Sequence, residues 1–307
     1  MKHQALHNNT KNSLQKEQKI VVLGAGESGV GAAILAIQKN FQVFVSDKSK
    51  IAKKYKEILI NNTIDFEEKK HTEAKILSAD VVVKSPGIPD NVPLILKLKD
   101  SEIPVISEIE FAAQFTEATI VGITGSNGKT TTTLLAHHIL NKGGLNVGVA
   151  GNIGQSFAEQ VATQNYTNYV LELSSFQLDG VQEFTPHIAI ITNITPDHLD
   201  RYDYDFNKYI SSKFRITKNQ TEKDFLIYDA DNTAITNWLE NNKTAAKLIP
   251  FSLEKELEFG AYVKDNTINI NITKDTIQMP TSTLSIQGKH NTKNAMAATM
   301  AAQLLKV

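Results

Sequence analysis

The segment Gly125-Ser126-Asn127-Gly128-Lys129-Thr130 lies between an apolar run, Thr119 to Thr124, and a stretch with helical spacing, Thr130 to Lys142. Glycines in such a loop let backbone N–H groups turn inward around phosphate oxygens, and the start of the following helix adds partial positive charge. Lys129 supplies a mobile cation, and Thr130 a hydroxyl that could hold magnesium. A strict GxxxxGK[ST] pattern would place glycine where Ile123 stands, so this is a variant loop with glycines at Gly122 and Gly125. A plain glycine turn at a helix start is the bland alternative, and the strand-loop-Lys-Thr-helix order argues against it. The expectation is a grip on the phosphates of ATP with Mg2+.

Three further places carry groups of the right chemistry. Glu172-Leu173-Ser174-Ser175-Phe176-Gln177 closes an apolar run, and a carboxylate there could complete an oxygen shell around magnesium. Alone, it would read as a solvated or helix-capping residue. Thr195 to Tyr202 packs Asp197, His198, Asp200 and Arg201 into one short loop after the next apolar run. Gly24-x-Gly26-x-x-Gly29, with Asp47 some twenty residues on, fits a dinucleotide fingerprint, a weak signal that leaves NAD, a flavin or a nucleotide-activated sugar open.

The elements that must position these groups alternate between strand and helix. Ile20–Leu23, the glycine loop, a helix over Val30–Gln38 and a strand over Phe41–Ser46 make one β-α-β unit. Ala79–Lys84 and Pro104–Ile106 extend it, the first broken by Ser85-Pro86-Gly87, and Glu108–Phe115 is helical. The pattern restarts at Thr119 and continues through strands at Asn146–Val149, Tyr169–Leu173 and Ile188–Asn193, then a helix over Phe206–Lys218. Short alternating runs between Leu248 and Leu284, such as Thr267–Ile272, suggest a β meander, and an alanine-rich helix spans Ala295–Leu305. The fold class expected is α/β: a Rossmann-like parallel-sheet domain at 20–117, then a P-loop ATPase-type domain with a small meander at 118–307. Ligands of such sheets collect where strands end, so several of the loops above should face one crevice.

Composition narrows the partners. The 307 residues carry a net charge of −1, which gives no electrostatic reason to expect nucleic acid or an anionic membrane. With no cysteine there is neither a disulfide framework nor a thiolate metal site. Residues 1–19, rich in Asn, Gln, Lys and His, read as a mobile tail without the apolar core of a secretory signal. A cytoplasmic monomer is the expectation.

In combination, GITGSNGKTTT (122–132), ELSSFQL (172–178), TNITPDHLDRY (192–202) and GKHNTKNA (288–295) resemble the Mur ligases, and within that family the D-glutamate-adding branch. The glycine loop and Ser85-Pro86-Gly87-Ile88 look like the family's uridine-nucleotide site. The resemblance implies an ATP-dependent ligase that joins D-glutamate to UDP-N-acetylmuramoyl-L-alanine through an acyl phosphate. By position, it assigns Gly125, Ser126, Asn127, Gly128, Lys129, Thr130 and Thr131 to the triphosphate, with Asn291 and Asn294 at the adenine. Thr130 and Glu172 would ligate one magnesium, and His198 with Lys213 a second, Lys213 being carbamylated by carbon dioxide. Asn152, Ser174, Gln177 and His198 would meet the sugar-pyrophosphate and peptide, and Gly26, Glu27, Ser28, Asp47, Lys48, Ser85 and Gly87 the uridine end.

The family also carries a C-terminal domain that binds the incoming amino acid, and the chain stops at Val307, about where that domain should begin. The expectation is a shortened polypeptide that binds nucleotides and ligates poorly or not at all. Three alternatives stand beside this reading: a sister Mur ligase or folylpolyglutamate synthase, a nucleotide-binding module without catalysis, and an NAD-dependent oxidoreductase resting only on the Gly24 loop.

Overall fold

The computed structural model describes residues 18–274 and 276–307. Most of the expected tail therefore lies outside the described residues, while Lys19, placed in that tail by the sequence, is already the first residue of a strand. The first sheet contains β1 (Lys19–Leu23), β2 (Gln42–Asp47), β3 (Asp65–Glu68), β4 (Val81–Lys84) and β5 (Val105–Ser107) in the order β3-β2-β1-β4-β5, all parallel. Its central strands, KIVVL and VVVK, are apolar almost throughout because helices cover both faces, so neither face can be polar.

The second sheet is built from β6 (Thr119–Thr124), β7 (Val147–Gly151), β8 (Asn168–Glu172), β9 (Ile188–Ile191), β10 (Phe225–Asp229), β11 (Lys247–Ser252), β12 (Gly260–Lys264), β13 (Thr267–Asn271) and β14 (Ile277–Pro280). Their order is β14-β13-β12-β11-β10-β9-β6-β8-β7. The expected meander is real only for β12 to β14, which pair antiparallel; β11 pairs parallel with β10 and belongs to the wound sheet. The alternating run at Leu248 hid this, because β11 is buried at one end and exposed at the other.

Two helices also begin earlier than the apolar pattern suggests. The first helix spans Glu27–Gln38 and the last Lys289–Leu304, each beginning before its first apolar residue. In both cases polar side chains occupy the opening turn, so hydrophobic periodicity detects the helix only once it turns towards the core. No helix among the described residues is long and apolar enough to cross a membrane.

The two sheets share one core. Residues from the first sheet (Val22, Val45, Val83) and the second (Ala150, Leu171, Ile191) belong to a single buried cluster, joined through the helices Glu27–Gln38, Glu108–Ala113 and Phe157–Thr163. Gly31 makes that approach possible, since a β-carbon there would lie 2.0 Å from Ser156 Oγ.

Two buried glutamates of the helix Glu108–Ala113 then fix the orientation. Glu108 accepts from Ser156 Oγ (2.8 Å) and Ala158 N (2.6 Å), capping the start of the helix Phe157–Thr163 across the seam. Burial pushes its carboxyl up to about 7 against the opposing pull of those hydrogen bonds. Glu110 accepts from the backbone N–H groups of Gln182, Glu183 and Phe184, each at 2.9 Å.

Glu110→Ala would leave those three N–H groups unsatisfied at a buried site. A loss of about 3 kcal/mol of stability is expected, to be read by urea unfolding of the native chain and the variant.

Candidate active site

The glycine loop is held by the strand beside it. Gly125 (φ +150) and Gly128 (φ +81) adopt positive φ, and a β-carbon on Gly125 would lie 2.0 Å from Thr192 Oγ1. Thr192 Oγ1 donates to Asn127 O (2.7 Å), while Asn193 accepts from Asn127 N (3.0 Å) and donates back to its carbonyl (2.9 Å). Ser126, buried, donates to Thr195 O (2.8 Å), accepts from Thr195 N (3.0 Å) and touches Tyr209 Oη (3.1 Å). The Ser126 hydroxyl thus fastens the loop to the 193–202 segment, leaving backbone groups to face a ligand.

Two lysines converge on this loop. Lys129 Nζ donates to Gly125 O (3.0 Å) and Ser126 O (2.9 Å), and Lys213 Nζ donates to the same Gly125 O (2.8 Å). Lys213 is only 2% exposed and lies 4.5 Å from the ring centroid of Tyr209. Burial, with the Lys129 charge added to it, pulls its amine down to about 7. Neither amine has a carboxylate within salt-bridge distance among the described residues; Asp197 and Asp179 act on Lys213 only from farther off and do not offset its burial.

Oxygen donors stand beside them. Glu172, at the end of β8 and 2% exposed, accepts from Thr130 Oγ1 (2.7 Å) and Asn152 Nδ2 (2.9 Å). His198 has left-handed backbone (φ 49), with Asp203 and Tyr204 doing the same five and six residues on. Each such non-glycine residue costs about 1 kcal/mol or more. The His198 ring is exposed, 3.6 Å from Asp197 Oδ2 and 5.3 Å from the Phe176 ring centroid.

A cavity of about 300 Å³ joins the two sheets here, lined by Lys129, Lys213, His198, Asn152 and Ser174 on one side and Pro86 and Gly87 on the other. Glu172 stands behind that wall, in contact with it through Asn152.

With this geometry in place, two family matches are decisive: the family described as Mur ligase middle domain matches residues 123–302, and the MurD N-terminal domain matches residues 19–92. The chain belongs to the Mur ligase family. The UDP-N-acetylmuramoylalanine–D-glutamate ligase of Christiangramia forsetii is 59% identical over 290 residues, covering 94% of this chain and 65% of the relative. The ligase of the same name from Bacteroides fragilis is 53% identical over 287 residues, covering 94% and 64%. The chain therefore spans about 65% of the length of these relatives.

Among solved structures, the UDP-N-acetylmuramate:L-alanyl-γ-D-glutamyl-meso-diaminopimelate ligase from Neisseria meningitides matches with a TM-score of 0.65 at 19% identity, covering 95% of this chain and 94% of that one. The UDP-N-acetylmuramate–alanine ligase from Thermotoga maritima gives 0.57 at 19%, covering 95% and 66%. At such identities these two speak for the fold alone.

Within this Mur ligase fold several residues singled out from the sequence are engaged in local structure. Ser174 and Gln177 form a capping box on the helix Ser175–Asp179, Gln177 Oε1 accepting from Ser174 N (3.0 Å). The spacing S-x-x-Q carried that signal in the sequence. Asn294 is buried beneath the loop, accepting from Thr132 Oγ1 (3.2 Å), and a β-carbon on Gly128 would meet its Oδ1 at 2.5 Å. Asn291, half-buried, donates to Gln287 O (2.9 Å), and Thr131 is half-buried in the first turn after the loop.

In the first sheet, Asp47 accepts from Ala25 N and Ser49 N, each at 2.7 Å, so it shapes the Gly24 loop itself. Gly24 (φ +93) packs on Ser85, whose Oγ a β-carbon would meet at 2.5 Å. Gly26, Glu27 and Ser28 open the first helix beside this pair, and Lys48 is exposed. None of Gly26, Glu27, Ser28, Asp47, Lys48, Asn291 and Asn294 lines the cavity that holds the lysines.

Tyr209 lines this region without having been singled out from the sequence, and Arg201, noted there only as one of the titratable groups of its loop, braces it. Tyr209 stands four residues before Lys213, one helical turn, and that spacing was the available signal.

The Lys213 amine titrates near 7 in the folded chain and near 10.5 when unfolded, so across that interval the unfolded chain binds more protons and folding is favoured by rising pH. The native chain is accordingly expected to gain stability relative to Lys213→Met as the pH rises from 7 towards 10.5. Urea unfolding of both proteins across this range checks it, and parallel curves would exclude a depressed amine.

Proposed function

We propose that this chain forms the nucleotide-binding part of an ATP-dependent ligase that joins D-glutamate to UDP-N-acetylmuramoyl-L-alanine. The observation that carries this reading is the pair of lysines meeting at Gly125 O, neither in a salt bridge among the described residues, opposite Pro86 and Gly87 of the first sheet. A triphosphate laid along the loop would give Lys129 an anion, while the facing sheet would present the muramyl nucleotide.

The residues present suit magnesium. Thr130 Oγ1, in the first turn of the helix Lys129–Lys142, and Glu172 Oε2, at the end of β8, are hard oxygen donors 2.7 Å apart. Among the described residues no group of three or more His, Asp or Glu forms a cage. Magnesium held mainly by phosphate and water oxygens requires none. Thr130 and Glu172 would hold one ion, and His198 with a carbamylated Lys213 a second. Magnesium, when bound, neutralises charge on the phosphate oxygens.

Lys129 would leave the Gly125 and Ser126 carbonyls to follow the γ-phosphate, lowering the repulsion met by an incoming carboxylate. The alanyl carboxylate attacks the γ-phosphorus as the bond to ADP breaks, giving an acyl phosphate. The amine of D-glutamate then attacks the acyl carbon, inorganic phosphate leaves, and an amide remains. Lys213, neutral in good part near pH 7, would add through Nζ to the carbon of carbon dioxide and release one proton to water, becoming an anionic oxygen donor.

Separate calorimetric titrations of this chain with a non-hydrolysable ATP analogue plus magnesium and with UDP-N-acetylmuramoyl-L-alanine test the two halves of the proposal. Saturable binding of both is expected, and absence of either response sinks the corresponding half. In a protein of the relatives' full length, phosphate release should depend on D-glutamate, and dependence on another amino acid would point to a sister ligase.

In the same full-length background, Lys129→Ala should lower turnover by a factor of about 100 or more with the fold intact by circular dichroism. Lys213→Ala should recover activity on addition of short carboxylates, and no recovery would count against carbamylation.

A further inference from the structure

The Ser85–Ile88 loop is pinned at its flanks by its own sheet. Ser85 N donates to Leu23 O (2.9 Å), and Lys84 Nζ reaches Ile88 O (2.6 Å). Its middle is different. Proline has no N–H to offer, and among the described residues the carbonyls of Pro86 and Gly87 accept from one side chain only, Arg201, which belongs to the other half of the molecule.

The Arg201 guanidinium lies 4.3 Å from the Phe176 ring centroid and donates to Pro86 O (3.3 Å) and Gly87 O (3.5 Å). A planar cation is needed for this double task, since the face stacks on the ring while the edge presents donors. Arg201 makes no salt bridge among the described residues, so its polar capacity is turned across the gap between the sheets. Phe176 also meets the His198 ring, 5.3 Å between centroids, which ties the far side of the cavity to the same support.

We infer that Arg201 is a positioning residue: it straps the Pro86-Gly87 turn over the cavity and thereby sets affinity for the nucleotide-sugar substrate. The identity of that ligand rests on the ligase proposal; the strap does not. Both hydrogen bonds are at the long end of the range, as suits a strap that must release and re-form while a substrate enters.

The test compares the native chain with Arg201→Met, which keeps apolar packing on Phe176 but lacks donors, and with Arg201→Lys. Without ligand, amide exchange at Ile88, whose N–H donates to Ser85 O (3.1 Å), should quicken about tenfold in Arg201→Met. UDP-N-acetylmuramoyl-L-alanine should bind about tenfold more weakly to that variant, with Arg201→Lys between, while affinity for the ATP analogue stays the same.

Unchanged exchange would overturn the strap. An equal loss of affinity for both ligands, with a lowered melting temperature, would reduce Arg201 to general structural support and overturn the inference too. If the native chain failed to bind the muramyl nucleotide while exchange responded as stated, the ligase proposal and the substrate assignment would fall and the strap would stand.

Discussion

Two lysine side chains ending on one carbonyl oxygen make a poor resting arrangement, and most of the site is organised to keep it in place. Lys213 is carried in by a helix whose neighbouring turns are locked, with Ser212 Oγ donating to Asp179 Oδ1 (2.6 Å) and Tyr202 Oη to Asp179 Oδ2 (2.9 Å). Lys129 is delivered by the loop, which Thr192, Asn193 and Ser126 fasten to the end of β9. Of the nearby carboxylates, Glu172 is committed to Thr130 and Asn152 and Asp179 to the two hydroxyls, while Asp197 stands beside His198 and forms no salt bridge with either lysine. What remains is the Lys129 cation at the mouth of a backbone loop, whose natural complement is an external polyanion.

The first sheet contributes through placement more than through charge. Its share of the cavity is Pro86 and Gly87, a turn without an ionisable side chain, so its effect on the site depends on where the turn stands relative to the second sheet. Close helix packing at Gly31 and the carboxylates of Glu108 and Glu110 settle that relation at the far end of the seam.

Much of this was legible in the residues. Continuous apolar runs such as VVVK and TIVGIT announced strands covered on both faces, and the loop ending in Lys129-Thr130 announced itself by glycine spacing. Helix starts were lost where polar residues fill the first turn, as at Lys289, and β11 was lost because its exposed half imitates an edge strand. Side-chain commitments were the least accessible. That Ser126 turns inward to Tyr209, or that Asp47 spends both oxygens on Ala25 and Ser49, depends on which groups meet across 83, 22 and 2 residues of chain. No periodicity encodes such meetings.

The Glu110 contact has a bearing on how such a protein can diverge. Its carboxylate addresses peptide N–H groups alone, and the side chains of Gln182 and Glu183 point to solvent. Every amino acid except proline offers the same donor. This part of the docking is thus written in the main chain, and substitutions at Gln182 and Glu183 can accumulate without altering it.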